Sequence, residues 1–285
     1  MFNLKLSQAV EDFSFLMVPL SETELELEWK WKDHDEEGIR FAFFVTLQEL
    51  RQLAVTLSTL RPKPTSVQHI LSQYHAAYLD LQATLLGVSA ENADKVFVEG
   101  EWNVKRVYSH ILGADIAFTA VIRYALEGHR TGSWKPEQMS DEDEARIVGM
   151  REEEYQTLIK GSLDGMLSYH QTFHPAIIKD FSLITDAELD LPSTFWEETR
   201  FPIRHRLHRY EAHFTQHTIQ IEKTLVAIGQ APSESKRLLR KIYAALAEAE
   251  GMMIGVEKMD DTVILATASS ITERTKEIES LIRRN

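Results

Sequence analysis

Eleven histidines and no cysteine stand in this chain, so a metal held by its side chains must rely on imidazole and carboxylate ligands. His213 and His217 have the most chemically pointed spacing. They lie four residues apart in a stretch of helical period, so they project from one face, one turn above the other. Two imidazoles in that relation can converge on one divalent ion at nitrogen distances of about 2.0–2.1 Å. Arg206, Arg209, Tyr210, Gln216, Gln220 and Thr224 share their broad polar side, while Leu207, Phe214, Ile221, Leu225 and Ile228 form the adjoining apolar side. A polar stripe beside a core is costly unless it is hydrogen-bonded or binds something, although long helices also carry such histidine pairs by chance. Tyr210, Gln216 and Gln220 are the pocket candidates, and packing or solvation accounts for each equally well. Spacing leaves the third ligand open among His69, His75, His110, His170 and His174, with His110 modestly favoured by its neighbours Val107, Ile111 and Ala114. No catalytic residue is assigned. Glu211 is turned away from His213, and Asp115, just over a turn beyond His110, either assists a site or solvates its helix.

The elements that must position these residues are helical. Across residues 66–86, Ile70, Leu71, Tyr74, Tyr78, Leu81 and Leu85 recur three and four apart, with Pro64 and Thr65 or Ser66 as the start. Asn103 caps a second helix to about residue 126, whose core stripe reads Val104, Val107, Tyr108, Ile111, Leu112, Phe118 and Ile122. A third spans 143–173, with Gly161 and Gly165 inside it as places for a bend. Residues 181–201 lack helical period and suit a short extended piece. Pro202 fits the first turn of a fourth helix, which ends before Gly229.

These features predict an all-α fold: an up-down-up-down four-helix bundle over residues 63–230, flanked by helical extensions at 1–62 and 231–285. Helices are expected at 4–19, 41–60, 235–253 and 271–282, and a second bundle built from both chain ends would bury their apolar faces. Residues 22–31 read as a strand or an irregular acidic connection, and 260–267 as a β-prone piece or a linker. The order of elements over 13–57 weakly echoes that over 74–126.

Two motifs carry a resemblance. Trp102 and Asn103 precede a helix containing Val107-Tyr108-Ser109-His110-Ile111-Leu112, and a later helix holds His213-x-x-x-His217 and ends near Gly229. In order, separation and placement these motifs make residues 66–229 similar to the DinB-like, or DinB/YfiT-like, family of metal-dependent proteins. The resemblance implies that His110, His213 and His217 are three ligands of one divalent ion. It also implies transferase or isomerase chemistry with low-molecular-weight thiols such as bacillithiol or mycothiol, or metal-dependent hydrolysis. Zn²⁺ or Ni²⁺ suits such nitrogen ligands best, and Fe²⁺ or Mn²⁺ also fits.

Composition narrows the partners. A formal net charge of -13 repels nucleic-acid phosphates and anionic lipid heads, and the basic runs at 204–209 and 236–241 are short. No stretch reaches the roughly 18 apolar residues of a membrane span, and Glu11 and Asp12 interrupt any secretory leader. The expectation is a soluble cytoplasmic protein, acting on a small-molecule substrate, without nucleic-acid or membrane partners. The alternative is a non-catalytic helical protein with a structural or vacant metal site and outer helices that make a homodimer or partner interface. That alternative draws on the acidic connection with Glu22, Glu24, Glu26, Asp33, Asp35, Glu36 and Glu37.

Overall fold

Local caps decide where the site-bearing helices begin and end. The computed structural model describes residues 2–34, 38–197 and 199–284, so Asp35, Glu36 and Glu37 of the acidic connection lie outside the described residues. Its helices are α1 (Leu4–Met17), α2 (Glu22–Leu25), α3 (Phe41–Leu60), α4 (Ser66–Leu85), α5 (Ala90–Asp94) and α6 (Val104–Thr131). After these come α7 (Asp141–Val148), α8 (Glu152–Ile159), α9 (Leu163–Phe181), α10 (Ile203–Ala227), α11 (Glu234–Gly251) and α12 (Thr262–Ile282). The protein is all-α. A two-residue ladder pairs β1 (Pro192–Ser193) antiparallel with β2 (Phe201–Pro202). Among the described residues no helix is long and apolar enough to cross a membrane.

Asn103 caps α6 by accepting from the Arg106 amide at 2.9 Å, and Gly132 closes the helix in the left-handed region at φ 72°. Pro202 stands just outside α10 in an extended conformation rather than in its first turn. Gly229, at φ 82°, follows the end of that helix.

The expected third helix is instead three. Ser140 caps α7, Gly149 ends it in the left-handed region at φ 69°, and Ser162 caps α9, which runs through Pro175. Neither α7 nor α8 buries a residue among those described, so little core packing opposes these local stop signals. Residues 260–267 are not extended either. Asp261 precedes α12, and Ile264 is fully buried in its first turns, so burial overrides the β preference of Val263, Ile264 and Leu265. Part of 22–31 is the short helix α2, closed by a Ser21–Glu24 capping box.

The chain divides into two compact units. The first comprises Met1–Lys63, Tyr78–Val88 and Gln230–Asn285. There α1 packs on α12 and α3 on α11, with Phe13 and Phe43 edge to face at 5.7 Å. Its buried Arg274 donates to Thr46 and Glu49 and lies over the Trp31 ring.

The second unit comprises Pro64–Ala77 and Ser89–Gly229, and α6 packs there against α7, α9 and α10. A buried polar layer fixes these elements. Tyr74 Oη and His170 Nε2 both donate to the Asp115 carboxylate, at 2.8 and 2.9 Å. His170 Nδ1 is then left to accept from Tyr108 Oη at 2.9 Å. His75 Nδ1 lies 2.9 Å from His174 Nε2, tying α4 to α9. Thr119 donates to the Asp115 carbonyl and accepts from Tyr210 Oη at 2.8 Å, tying α6 to α10.

Candidate metal centre

The start of α10 is anchored before the site is reached. Arg206, almost fully buried, donates to Ser193 Oγ at 3.1 Å and to Glu197 at 2.7 Å, and the Ile203 amide donates to the Leu191 carbonyl. Farther along, the Tyr210 ring packs against Phe118 at 5.6 Å. His110 meets His213 and His217, whereas Phe118 and Thr119, farther along α6, meet Tyr210. Helices α6 and α10 therefore run in opposite directions.

On this frame, one ring nitrogen each from His110, His213 and His217 falls within 4.8 Å of the others. His110 Nε2 and His213 Nε2 are 3.1 Å apart. The three ring centroids are separated by 4.4, 4.7 and 4.9 Å. Two nitrogens sharing one ion at the usual distances sit ~3.0–3.4 Å apart, so the closest pair fits a common ligand set. His110 is exposed, His213 half-buried and His217 buried.

The electrostatics favour the neutral form of His213 and His110. Burial, then the neighbouring His217, His110 and Arg209, push His213 down to about 3. Burial and then His217 lower His110. Neutral rings offer lone pairs, which is the form a metal requires. His217 Nδ1 lies 2.8 Å from Gln220 Oε1; with Nδ1–H donating there, Nε2 is the nitrogen free to bind. Trp102 meets the His110 ring at 5.3 Å and Phe118 meets the His213 ring edge-on at 5.7 Å.

The other sequence candidates are distributed as follows. Gln220 holds His217, Gln216 is exposed, and Tyr210 is fully buried with its hydroxyl turned to Thr119. His75, His170 and His174 belong to the buried polar layer, and His69 is exposed. Asp115 neither solvates α6 nor meets the triad, because its carboxylate is fully buried between Tyr74 and His170. Glu211 accepts from Thr215 at 3.1 Å.

The contacts of Arg106 and of the Trp102 ring were not anticipated from sequence. The one available signal was the position of Arg106 one turn before His110. Nor was a cavity of about 390 Å³ between α6, α7 and α8, lined by Gly113, Ile116, Ala117, Glu144, Glu152 and Tyr155 among others. A β-carbon at Gly113 would come within 2.8 Å of Tyr155 Oη, so glycine lets that ring close over α6. Burial and the adjacent Asp141 and Glu152 raise the Glu144 carboxyl. Comparison with protein-family models, curated proteins and solved structures finds no match to this chain.

Proposed function

We propose that α4, α6, α9 and α10 form a DinB-like four-helix bundle, and that the chain is a metal-dependent transferase or hydrolase of a small molecule. In this proposal His110, His213 and His217 hold a divalent ion, Zn²⁺ or Ni²⁺ before Fe²⁺ or Mn²⁺. The observation that carries it is the convergence of three ring nitrogens within 4.8 Å, on helices whose relative placement is fixed by buried hydrogen bonds. The bundle reading is supported by the hydrogen bonds that join α4, α6, α9 and α10 through Tyr74, Asp115, His170, His75, His174 and Tyr210.

When bound, such an ion supplies Lewis acidity that polarises a carbonyl or favours the anionic form of a water or thiol. The chain's own residues do the rest. Gln220 orients His217 by accepting a hydrogen bond from its Nδ1–H. Trp102 and Phe118 cover the flanks of His110 and His213 with apolar rings. Three uncharged ligands leave the ion's charge uncompensated, which suits a thiolate co-substrate in a chain with no cysteine of its own.

Exposure of His110 favours this reading over a structural or vacant site in a non-catalytic interaction protein, because structural sites are closed and catalytic ones keep an open position. The test is chelation followed by assay against low-molecular-weight thiols with electrophilic acceptors and against esters. Loss of turnover with the fold and self-association unchanged is expected. Turnover indifferent to chelation would count against metal-dependent catalysis.

A further inference from the structure

Two guanidiniums bracket the triad. Arg106 lies one turn before His110 on α6, and Arg209 one turn before His213 on α10. Because the helices run in opposite directions, the two arginines fall at opposite ends of the centre. Arg106 Cζ is 4.8 Å from the centroid of Trp102, the ring that touches His110. Arg209 Cζ is 5.7 Å from the centroid of Phe118, the ring that touches His213. The same succession of guanidinium, aromatic ring and triad imidazole thus occurs on both sides.

Among the described residues no carboxylate answers the charge of these two arginines. In the same unit Arg123 is paired with Asp180, Arg130 with Glu188, Arg204 with Asp190 and Arg206 with Glu197. Arg106 and Arg209 have no side-chain hydrogen-bond or carboxylate partner among the described residues, in a chain whose Asp and Glu number 44 against 31 Lys and Arg. A guanidinium held over a ring by its charge does not use its N–H donors there, so the fork that matches a carboxylate or phosphate stays available. A cation beside a divalent ion is unfavourable by itself and becomes favourable when an anion lies between them.

We infer that the small molecule handled at this centre is an anion, a carboxylate or phosphate ester whose oxyanion groups are held by Arg106 and Arg209. The inference rests on the metal-site reading of the triad and adds the charge of its ligand. The carboxylates Asp141, Glu144 and Glu152 line the cavity against Gly113, Ile116 and Ala117 of α6, so a cationic ligand is the outcome that opposes it.

The experiment is calorimetric titration of the full chain, loaded with Zn²⁺ and with its zinc content measured, using succinate, phenyl phosphate and putrescine as probes. Succinate or phenyl phosphate is expected to bind, the tighter of the two naming the oxyanion. Arg106→Gln and Arg209→Gln should each weaken that binding about tenfold. Arg237→Gln, at an exposed arginine of the first unit, should leave it unchanged, and zinc content should be the same in all variants.

The inference is overturned if neither anion binds up to about 10 mM, or if putrescine binds in their place. It is also overturned if Arg237→Gln weakens binding as much as the other two variants. Zinc held by the triad with anion binding indifferent to Arg106 and Arg209 would remove this inference alone. Absence of zinc binding in the wild-type chain would remove the metal reading first, and this inference with it.

Discussion

His217 differs from its companions in having its outer nitrogen held. Its Nδ1 meets Gln220 Oε1 at 2.8 Å, whereas His213 Nδ1 is buried with no hydrogen-bond partner among the described residues. Partners of this kind typically contribute 10- to 100-fold in metal affinity, so Gln220→Ala is expected to weaken binding by roughly that factor. Gln220→Glu, which keeps an acceptor, should preserve most of it. Competition against a chromophoric chelator measures both, and an unchanged affinity in Gln220→Ala would mean that the contact orients nothing. Helical period placed Gln216 and Gln220 on one polar side but could not choose between them. The choice depends on which turn of α10 faces His217, and Gln216 is exposed. Period also left five histidines open as the third partner of His213 and His217. What separates His110 from His75, His170 and His174 is hydrogen bonding across α4, α6 and α9, which no single helix records.

Among the elements, α4 and α9 are joined by the buried His75–His174 contact. Burial, then the neighbouring His75 and His170, hold His174 well below its usual 6.5. The folded state therefore keeps this ring neutral where the unfolded chain protonates it, and the unfolded chain binds more protons below about pH 6.5. Stability of the metal-free protein is thus expected to be flat above about pH 7 and to fall as pH drops from ~6.5 toward ~4.5. The slope from one such histidine approaches about 1.4 kcal/mol per pH unit. Urea midpoints across that range provide the measurement, and His174→Gln should flatten the slope. A midpoint that rose on acidification would contradict a neutral buried ring. The start of α6 and the end of α10 were legible because Asn103 and Gly229 act locally, whereas α6 runs on to Thr131, past the residue 126 at which its apolar stripe was expected to stop. The division of 141–181 into α7, α8 and α9 was less so, since the apolar period continues across caps at Ser140 and Ser162 that decide the matter. At α12 the reverse holds: burial of Ile264 outweighs the local preference of a β-branched run.

At the scale of the whole molecule, the boundary between the two compact units falls inside α4, after Ala77. A fragment of residues 64–229 keeps every residue of the second unit but strips the first unit from Tyr78–Val88, where Leu79, Leu81 and Leu85 are buried in the full chain. It is expected to retain the triad's metal binding while melting at lower temperature and dissolving less well than the full chain. A disordered fragment, seen by circular dichroism, would show that the second unit depends on the rest of the chain. Helical content and the His213–His217 half-site were readable from residue types and spacing, whereas the interruption of α4 by a unit boundary follows from tertiary contacts alone. The central claim is that His110, His213 and His217 bind one ion together. Its most direct test is elemental analysis of the full chain, purified without an affinity tag and reconstituted with Zn²⁺, beside His213→Ala. About one equivalent of zinc in the wild type and its loss in the variant is the expected result; unchanged zinc in His213→Ala, or none in the wild type, would contradict the claim.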